Sequence, residues 1–266
     1  KTTQDHLANY DKQATNFHET IEDYVRAKTS IVRFQKKDDT AIFNMDDETS
    51  QSFAAITAGK KKFFSRTNTS ADAYIQKNAV YLASEQGKHM ICTASELHIR
   101  GIHNLENIAA ASLAAIAAGT RIESIRKAAV AFQGLPYRLE FVGTKDGVSY
   151  YNDSFSTVPE TTIAAIEAFD QPKILILGGS EKKSDFRSMG QAIARGNVRA
   201  ILVIGQMSER IMQAVDEAGF DGITVTGLTT MGDIVRRART LSQSGDVVIL
   251  TPACASFDMF KNYKER

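Results

Sequence analysis

At 266 residues the chain suits one large domain or two ordinary ones, and 43% hydrophobic with 24% charged residues sets it apart from disordered sequences. The formal net charge is +1, from 32 basic and 31 acidic side chains, which argues against a general nucleic-acid binder but leaves room for a local patch facing a phosphorylated small molecule. Cys92 and Cys254 stand far apart outside any zinc or CxxC pattern, no apolar run approaches the roughly 20 residues of a membrane span, and Lys1-Thr-Thr-Gln-Asp-His6 has no signal-peptide core, so the expectation is a reducing cytoplasmic setting.

Helical spacing of Phe17, Ile21, Tyr24 and Val25 predicts a helix over residues 13–28. Short strands are expected at Ser30–Phe34, Thr40–Phe43 and Lys61–Phe64, with Asn44-Met-Asp-Asp47 as a polar turn. Ala79–Leu82, His89–Thr93 and Glu96–Ile99 read as an antiparallel ribbon. From Asn104 an alanine-rich helix runs to Gly119, a C′ glycine, and a second helix covers about Ile122–Ala131. Gly134-Leu-Pro-Tyr-Arg138 breaks the pattern, which divides the chain into residues 1–133 and 134–266.

The second part alternates regularly. Strands at Val148–Tyr151, Lys173–Leu177, Ala200–Ile204, Ile223–Val225 and Val247–Leu250 are separated by helices opened by Pro159 and at about Phe186–Arg195, Ser208–Ala218 and Thr230–Leu241. Short, continuously apolar strands between helices indicate a mostly parallel, Rossmann-like sheet covered on both faces. Ligands in such sheets bind at the strands' carboxyl ends. That places Gly178–Asp185, Gly205–Met207 and Thr251–Asp258 on one functional edge.

Several clusters carry candidate chemistry, each with an ordinary alternative. His6 beside Asp5 can ligate a divalent cation or be an exposed histidine. Lys28 suits a solvated cation near a helix C-terminus. Asn104 is a candidate N-cap, and Asn107 three residues on shares its face, so the pair can clasp a base or ribose. Arg138 can fork onto phosphate or form a structural salt bridge. Asn152-Asp-Ser-Phe-Ser-Thr157 offers ribose or carboxylate contacts, or is an Asx turn into a helix. Gly178-Gly-Ser-Glu-Lys-Lys-Ser-Asp185 only loosely resembles a phosphate loop, and G-x-x-x-x-G-K-[ST] occurs nowhere. Small residues in Thr251–Asp258 allow a tight loop whose amides and Ser256 hydroxyl face a ligand; Cys254, with no neighbouring histidine, reads as a buried small residue.

In order and in residues these segments resemble the Mur ligases of peptidoglycan synthesis. The markers are Asp5-His6-Leu7, Tyr24-Val-Arg-Ala-Lys28, Gly101-Ile-His-Asn-Leu-Glu-Asn107, Gly134-Leu-Pro-Tyr-Arg138, Asn152-Asp-Ser154, Leu177-Gly-Gly-Ser-Glu-Lys182 and Pro252-Ala-Cys-Ala-Ser-Phe-Asp-Met-Phe-Lys-Asn-Tyr263. The last is similar to a segment of the family's D-glutamate-adding branch. The resemblance implies the later part of a central ATPase-type α/β domain over 1–133 and a Rossmann-like amino-acid-binding domain over 134–266. It implies joining of D-glutamate to UDP-N-acetylmuramoyl-L-alanine with ATP and Mg2+, by a cytoplasmic monomer with no nucleic-acid or membrane partner. His6 and Lys28, the latter as a carbamate, would hold magnesium. Asn104 and Asn107 would meet the adenine side of ATP, and Arg138 and Asp153 its phosphate and ribose. Thr157, Lys182, Ser256, Phe257 and Tyr263 would bind D-glutamate, with Lys28, His6 and Lys182 the catalytic set.

The sequence departs from the family pattern in four ways. The UDP-binding domain, the P-loop and an upstream metal-binding Glu are missing, which predicts a fragment without turnover of its own. The interval from His6 to Lys28 is long, with extra residues around Asp11–Glu19. Phe155 stands where some members carry Lys. The chain also stops just after the Phe-Lys-Asn-Tyr segment. A sibling ligase for another amino acid and a non-catalytic binding module are the alternatives.

Overall fold

The computed structural model describes residues 20–85, 87–180 and 184–266. His6, Lys182 and the first seven residues of the helix expected over 13–28 therefore lie outside the described residues. The chain divides into two compact units, Lys1–Gln133 and Gly134–Arg266.

The first unit opens with α1 (Ile21–Arg33). The Thr20 hydroxyl caps it by accepting from Asp23 N at 3.1 Å, and Glu22 and Asp23 sit in its first turn, where the helix dipole favours negative charge. The helix continues through Ser30–Arg33, which corrects the strand expected there. Thr29 and Val32 share a buried face at helical spacing, and that face outweighs the β preference of Ile and Val. After β1 (Thr40–Asn44), Asp47 caps α2 (Glu48–Ala54) through Ser50 N at 2.6 Å. The sheet then adds β2 (Lys60–Ser65), β3 (Ala73–Gln76), β4 (Ala79–Ser84) and β5 (Gly87–Thr93) in the order β1-β2-β3-β4-β5. The first three strands are parallel, and the last two return as hairpins. Lys77 and Asn78, at φ 49° and 58°, make the two-residue turn whose twist suits a hairpin. The strand expected at Glu96–Ile99 is absent: Thr93 and Glu96 form a capping box around a 3-10 turn at Ala94–Glu96, which diverts the backbone from the sheet. Helices α3 (Ile102–Ala117) and α4 (Ile122–Ala131) cover the sheet, with Leu105, Ile108, Ala109, Leu113 and Ile125 packed on Val80, Leu82 and Ile91. Gly119, at φ 82°, ends α3 as a C′ glycine while Thr120 N bonds back to the Ala115 carbonyl at 2.9 Å.

The second unit contains β6 (Glu140–Lys145), β7 (Val148–Asn152), α5 (Pro159–Glu167), β8 (Lys173–Gly178), α6 (Arg187–Arg195), β9 (Val198–Ile204), α7 (Ser208–Glu217), β10 (Ile223–Val225), α8 (Met231–Leu241) and β11 (Val247–Leu250). Its sheet runs β10-β9-β8-β11-β7-β6, parallel throughout except for the antiparallel edge pair β6–β7. Alternation along β8 sends Leu175 and Leu177 to the face covered by α5, α6 and α7, and Ile174 and Ile176 to the face covered by α8. Both faces are thus buried, which is why the strands are continuously apolar. The last strand, β11, inserts between β7 and β8. The loop after it therefore emerges between the loops after β7 and β8.

Candidate functional site

Hydrogen bonds tie four loops together at the carboxyl edge of the second sheet. Asp153, the first residue after β7, is 1% exposed and is the hub on one side. Its backbone N–H donates to the Leu250 carbonyl at 2.8 Å. Its Oδ1 accepts from Leu139 N at 3.0 Å, and its Oδ2 accepts from the Thr251 hydroxyl at 3.1 Å and from the Ser156 hydroxyl. Burial raises the Asp153 carboxyl above its ordinary range, against the pull of those bonds and of the nearby Arg138 charge.

From Thr251 the ties continue across the sheet. Gly178 N donates to the Pro252 carbonyl at 2.8 Å, and Ser180 N to the Ala255 carbonyl at 2.9 Å. Met207 N reaches the Gly179 carbonyl at 3.0 Å, and Gln206 N reaches Asp258 Oδ2 at 2.9 Å. Gly179, at φ 147°, lets the strands' loops touch, since a Cβ there would sit against the Ala255 carbonyl oxygen. Ala253 takes φ 60° inside this wholly buried stretch. A non-glycine residue in that conformation needs surroundings that fix it. Behind the loop, Arg266 donates to the Cys254 carbonyl at 3.2 Å and the Ser154 carbonyl at 2.8 Å, joining the β7 and β11 loops a second time. Burial pulls its guanidinium down to about 10.

The edge brings several expected residues together. Thr157 is half-buried at the mouth of α5, Ser256 is buried and Phe257 is 74% exposed. Neither the Thr157 nor the Ser256 hydroxyl has a hydrogen-bond partner among the described residues, so both can meet a ligand. The Tyr263 ring stands edge-on to Tyr137 and Phe155, with centroids 5.6 and 5.3 Å away. Sequence reasoning missed Arg266 and gave no individual role to Asp258 or Tyr137, although both lie in segments it singled out. Their partners are not legible locally, because each acts on a loop distant in the chain.

In the first unit the expected N-cap is corrected. Gly101, at φ 91°, occupies the cap position, and Asn104 lies inside the first turn of α3 with its amide donating to the Arg100 carbonyl at 2.6 Å. Gly101 can take the positive φ that the entry into the helix needs, so the helix begins before Asn104. Asn107 Nδ2 donates to Asn104 Oδ1 at 3.1 Å, leaving the exposed Asn107 Oδ1 without a partner among the described residues. Between them Glu106 is held above the usual carboxyl range by burial, with Arg66 opposing and Asp46 reinforcing the shift.

Two family models account for most of the chain: the Mur ligase middle domain over residues 3–115 and the Mur ligase glutamate ligase domain over 137–254. A UDP-N-acetylmuramoylalanine–D-glutamate ligase of Acetivibrio thermocellus is 36% identical over 98% of this chain and 57% of that protein. One from Acidobacterium capsulatum is 39% identical over 94% and 54%.

The chain belongs to the Mur ligase family.

It spans a little over half the length of these curated relatives. Solved Mur ligases share the fold. The Acinetobacter baumannii D-alanyl-D-alanyl-adding ligase superposes with a TM-score of 0.69 at 19% identity, covering 92% of this chain and 54% of its own. The UDP-N-acetylmuramate–alanine ligase of Thermotoga maritima gives 0.64 at 15%, over 94% and 54%.

Of the two residues expected to hold magnesium, His6 and Lys28, only Lys28 falls in the described part. It is exposed in the middle of α1, with Nζ 5.3 Å from the Tyr24 ring centroid, because the helix runs on to Arg33 instead of closing at Lys28. A magnesium ion needs oxygen ligands gathered at one point. Among the described residues no three His, Cys, Asp or Glu side chains gather in that way. The described residues thus do not by themselves form a magnesium site. Within the first unit the exposed Asn107 Oδ1 has no partner among the described residues, and within the second unit the Arg138 side chain is exposed. Asp153 could reach a ribose only by exchanging one of its internal bonds.

Proposed function

We propose that the full-length protein is an ATP-dependent ligase that joins D-glutamate to UDP-N-acetylmuramoyl-L-alanine in the cytoplasm, as a monomer, and so serves peptidoglycan synthesis and with it cell shape and division. The observation that carries this reading is the placing of β11 between β7 and β8, which binds Thr251–Asp258 to the two flanking loops beside Thr157 and Tyr263. It is supported by the names of eight curated relatives at 31–39% identity, each a D-glutamate ligase.

An amine cannot usefully attack a carboxylate that lacks a leaving group. Conversion of the muramoyl-alanine carboxylate to an acyl phosphate by ATP provides one; the D-glutamate amine then attacks and phosphate leaves from a tetrahedral intermediate. In this reading Asn104 and Asn107 hold the adenine end, and Arg138 neutralises phosphate charge. Asp153 contributes at the ribose or through the turn that carries Arg138. Thr157, Ser256 and Tyr263 orient D-glutamate, Phe257 covers it, and Lys182 takes one of its carboxylates. His6 and a carbamylated Lys28 would hold magnesium, which would supply charge neutralisation.

The test is calorimetry of D-glutamate with the full-length protein and its Ser256→Ala and Thr157→Val variants. Binding that weakens in both supports the pocket. No binding, or binding indifferent to both changes, removes it and favours an interaction module.

A further inference from the structure

Arg138 sits in a turn that is hard to hold. Tyr137 and Leu139, on either side of it, take φ values of 63° and 44°. Residues with a Cβ avoid that left-handed region, so the turn persists only where its surroundings impose it. Hydrogen bonds do so, beginning with Arg138 N, which donates to the Leu135 carbonyl at 3.2 Å. Tyr137 N donates to Glu140 Oε2 at 2.8 Å, Phe155 N donates to the Tyr137 carbonyl at 3.0 Å, and Leu139 N donates to the buried Asp153 at 3.0 Å. The Tyr263 ring packs edge-on against the rings of both Tyr137 and Phe155. All of these contacts fix the backbone around Arg138, and none touches its guanidinium. That group lies 4.8 Å from the centroid of the Phe155 ring and makes no hydrogen bond or ion pair among the described residues. Phe155 is itself 46% exposed, so its ring is a platform at the surface of the edge, not a core side chain.

We propose that Phe155 is a positioning residue for Arg138, stacking its guanidinium so that the N–H fork is presented to a nucleotide phosphate. The proposal rests on the reading of Arg138 as a phosphate contact. A guanidinium offers two distinct surfaces: its flat face, which an aromatic quadrupole attracts, and its edge, where all five N–H bonds point. A carboxylate partner would occupy the edge and compete with phosphate for it. An aromatic ring holds the face and leaves the edge free for a bidentate contact. A lysine in place of Phe155 would add charge but could not orient the arginine.

The experiment is calorimetry of a non-hydrolysable ATP analogue with magnesium, on full-length protein, for Phe155→Leu, Phe155→Tyr, Arg138→Ala and the Phe155→Leu/Arg138→Ala pair, with melting curves alongside. Loss of the stacked ring should weaken nucleotide binding by about two- to five-fold. Phe155→Tyr should retain it, and Phe155→Leu should have no further effect once Arg138 is gone. Unchanged affinity in Phe155→Leu with reduced affinity in Arg138→Ala would overturn the positioning role and leave the phosphate reading standing. Equal loss from Phe155→Leu with and without Arg138 would also overturn it, showing an effect through the fold. An Arg138→Ala variant that binds nucleotide normally would remove the underlying reading and the proposal together. If Phe155→Leu lowers the melting midpoint, Phe155→Met, similar in volume without a π face, carries the same expectations.

Discussion

Replacing Asp153 separates what its hydrogen bonds do from what its charge does. Asp153→Ala leaves Leu139 N without its acceptor and the Thr251 and Ser156 hydroxyls without theirs, and should destabilise the full-length protein by about 1–3 kcal/mol in urea unfolding. Asp153→Asn keeps an acceptor for Leu139 and should cost less. Burial holds the folded carboxyl above its ordinary 3.8. Between 3.8 and that raised value the folded chain binds more protons than the unfolded one, so stability falls as pH rises through the window. The wild type minus Asp153→Asn difference in unfolding free energy should therefore shrink on leaving acid pH; a difference that grows would show the hydrogen bonds outweighing burial. Cys92 gives a simpler reading at the same scale. Burial and the Glu96 carboxylate push its thiol up to about 11, against Arg126. Iodoacetamide should leave it unlabelled at mildly alkaline pH until the protein unfolds, and labelling of the native state would show an open thiol. The small residues of Thr251–Ser256 are legible from sequence because tight loops need them. The partnership of Phe155 with Arg138 and the reach of Arg266 to Ser154 are not, since nothing near either residue announces a contact across the fold.

Elements with strong local punctuation are the ones the sequence shows well. Pro159 opens α5, Gly119 closes α3, and the apolar runs of β8, β9 and β11 fall within a residue or two of their expected bounds. The failures have physical causes. Ser30–Arg33 has β-branched residues but lies downstream of a capped helix start, and the helix propagates through it. The edge strand β6 went unread although Asp146-Gly147, at φ 54° and 77°, is a hairpin turn pointing back to it. Glycine at the edge of the second sheet yields a prediction for elements. Gly179→Ala meets both a strained φ and the Ala255 carbonyl, whereas Gly219→Ala meets the φ penalty in open space. The first should cost more than the second, which carries about 1–2 kcal/mol from backbone strain alone. Urea unfolding of the two variants checks this, and equal costs would mean that the β8 and β11 loops are not in contact.

For the whole molecule, composition and alternation suffice for a mostly parallel α/β second unit, because a sheet buried on both faces requires continuously apolar strands. They do not reveal strand order, and strand order makes the site: had β11 lain at an edge, Thr251–Asp258 would not reach both Asp153 and Gly178. Motif resemblance supplied the chemistry that geometry alone leaves general. The most direct measurement of the central claim is phosphate release by the full-length protein given UDP-N-acetylmuramoyl-L-alanine, ATP and Mg2+ with one amino acid at a time. Release and product formation are expected with D-glutamate and not with L-alanine, L-lysine or glycine. Turnover with one of those instead, or none with D-glutamate, would contradict the account.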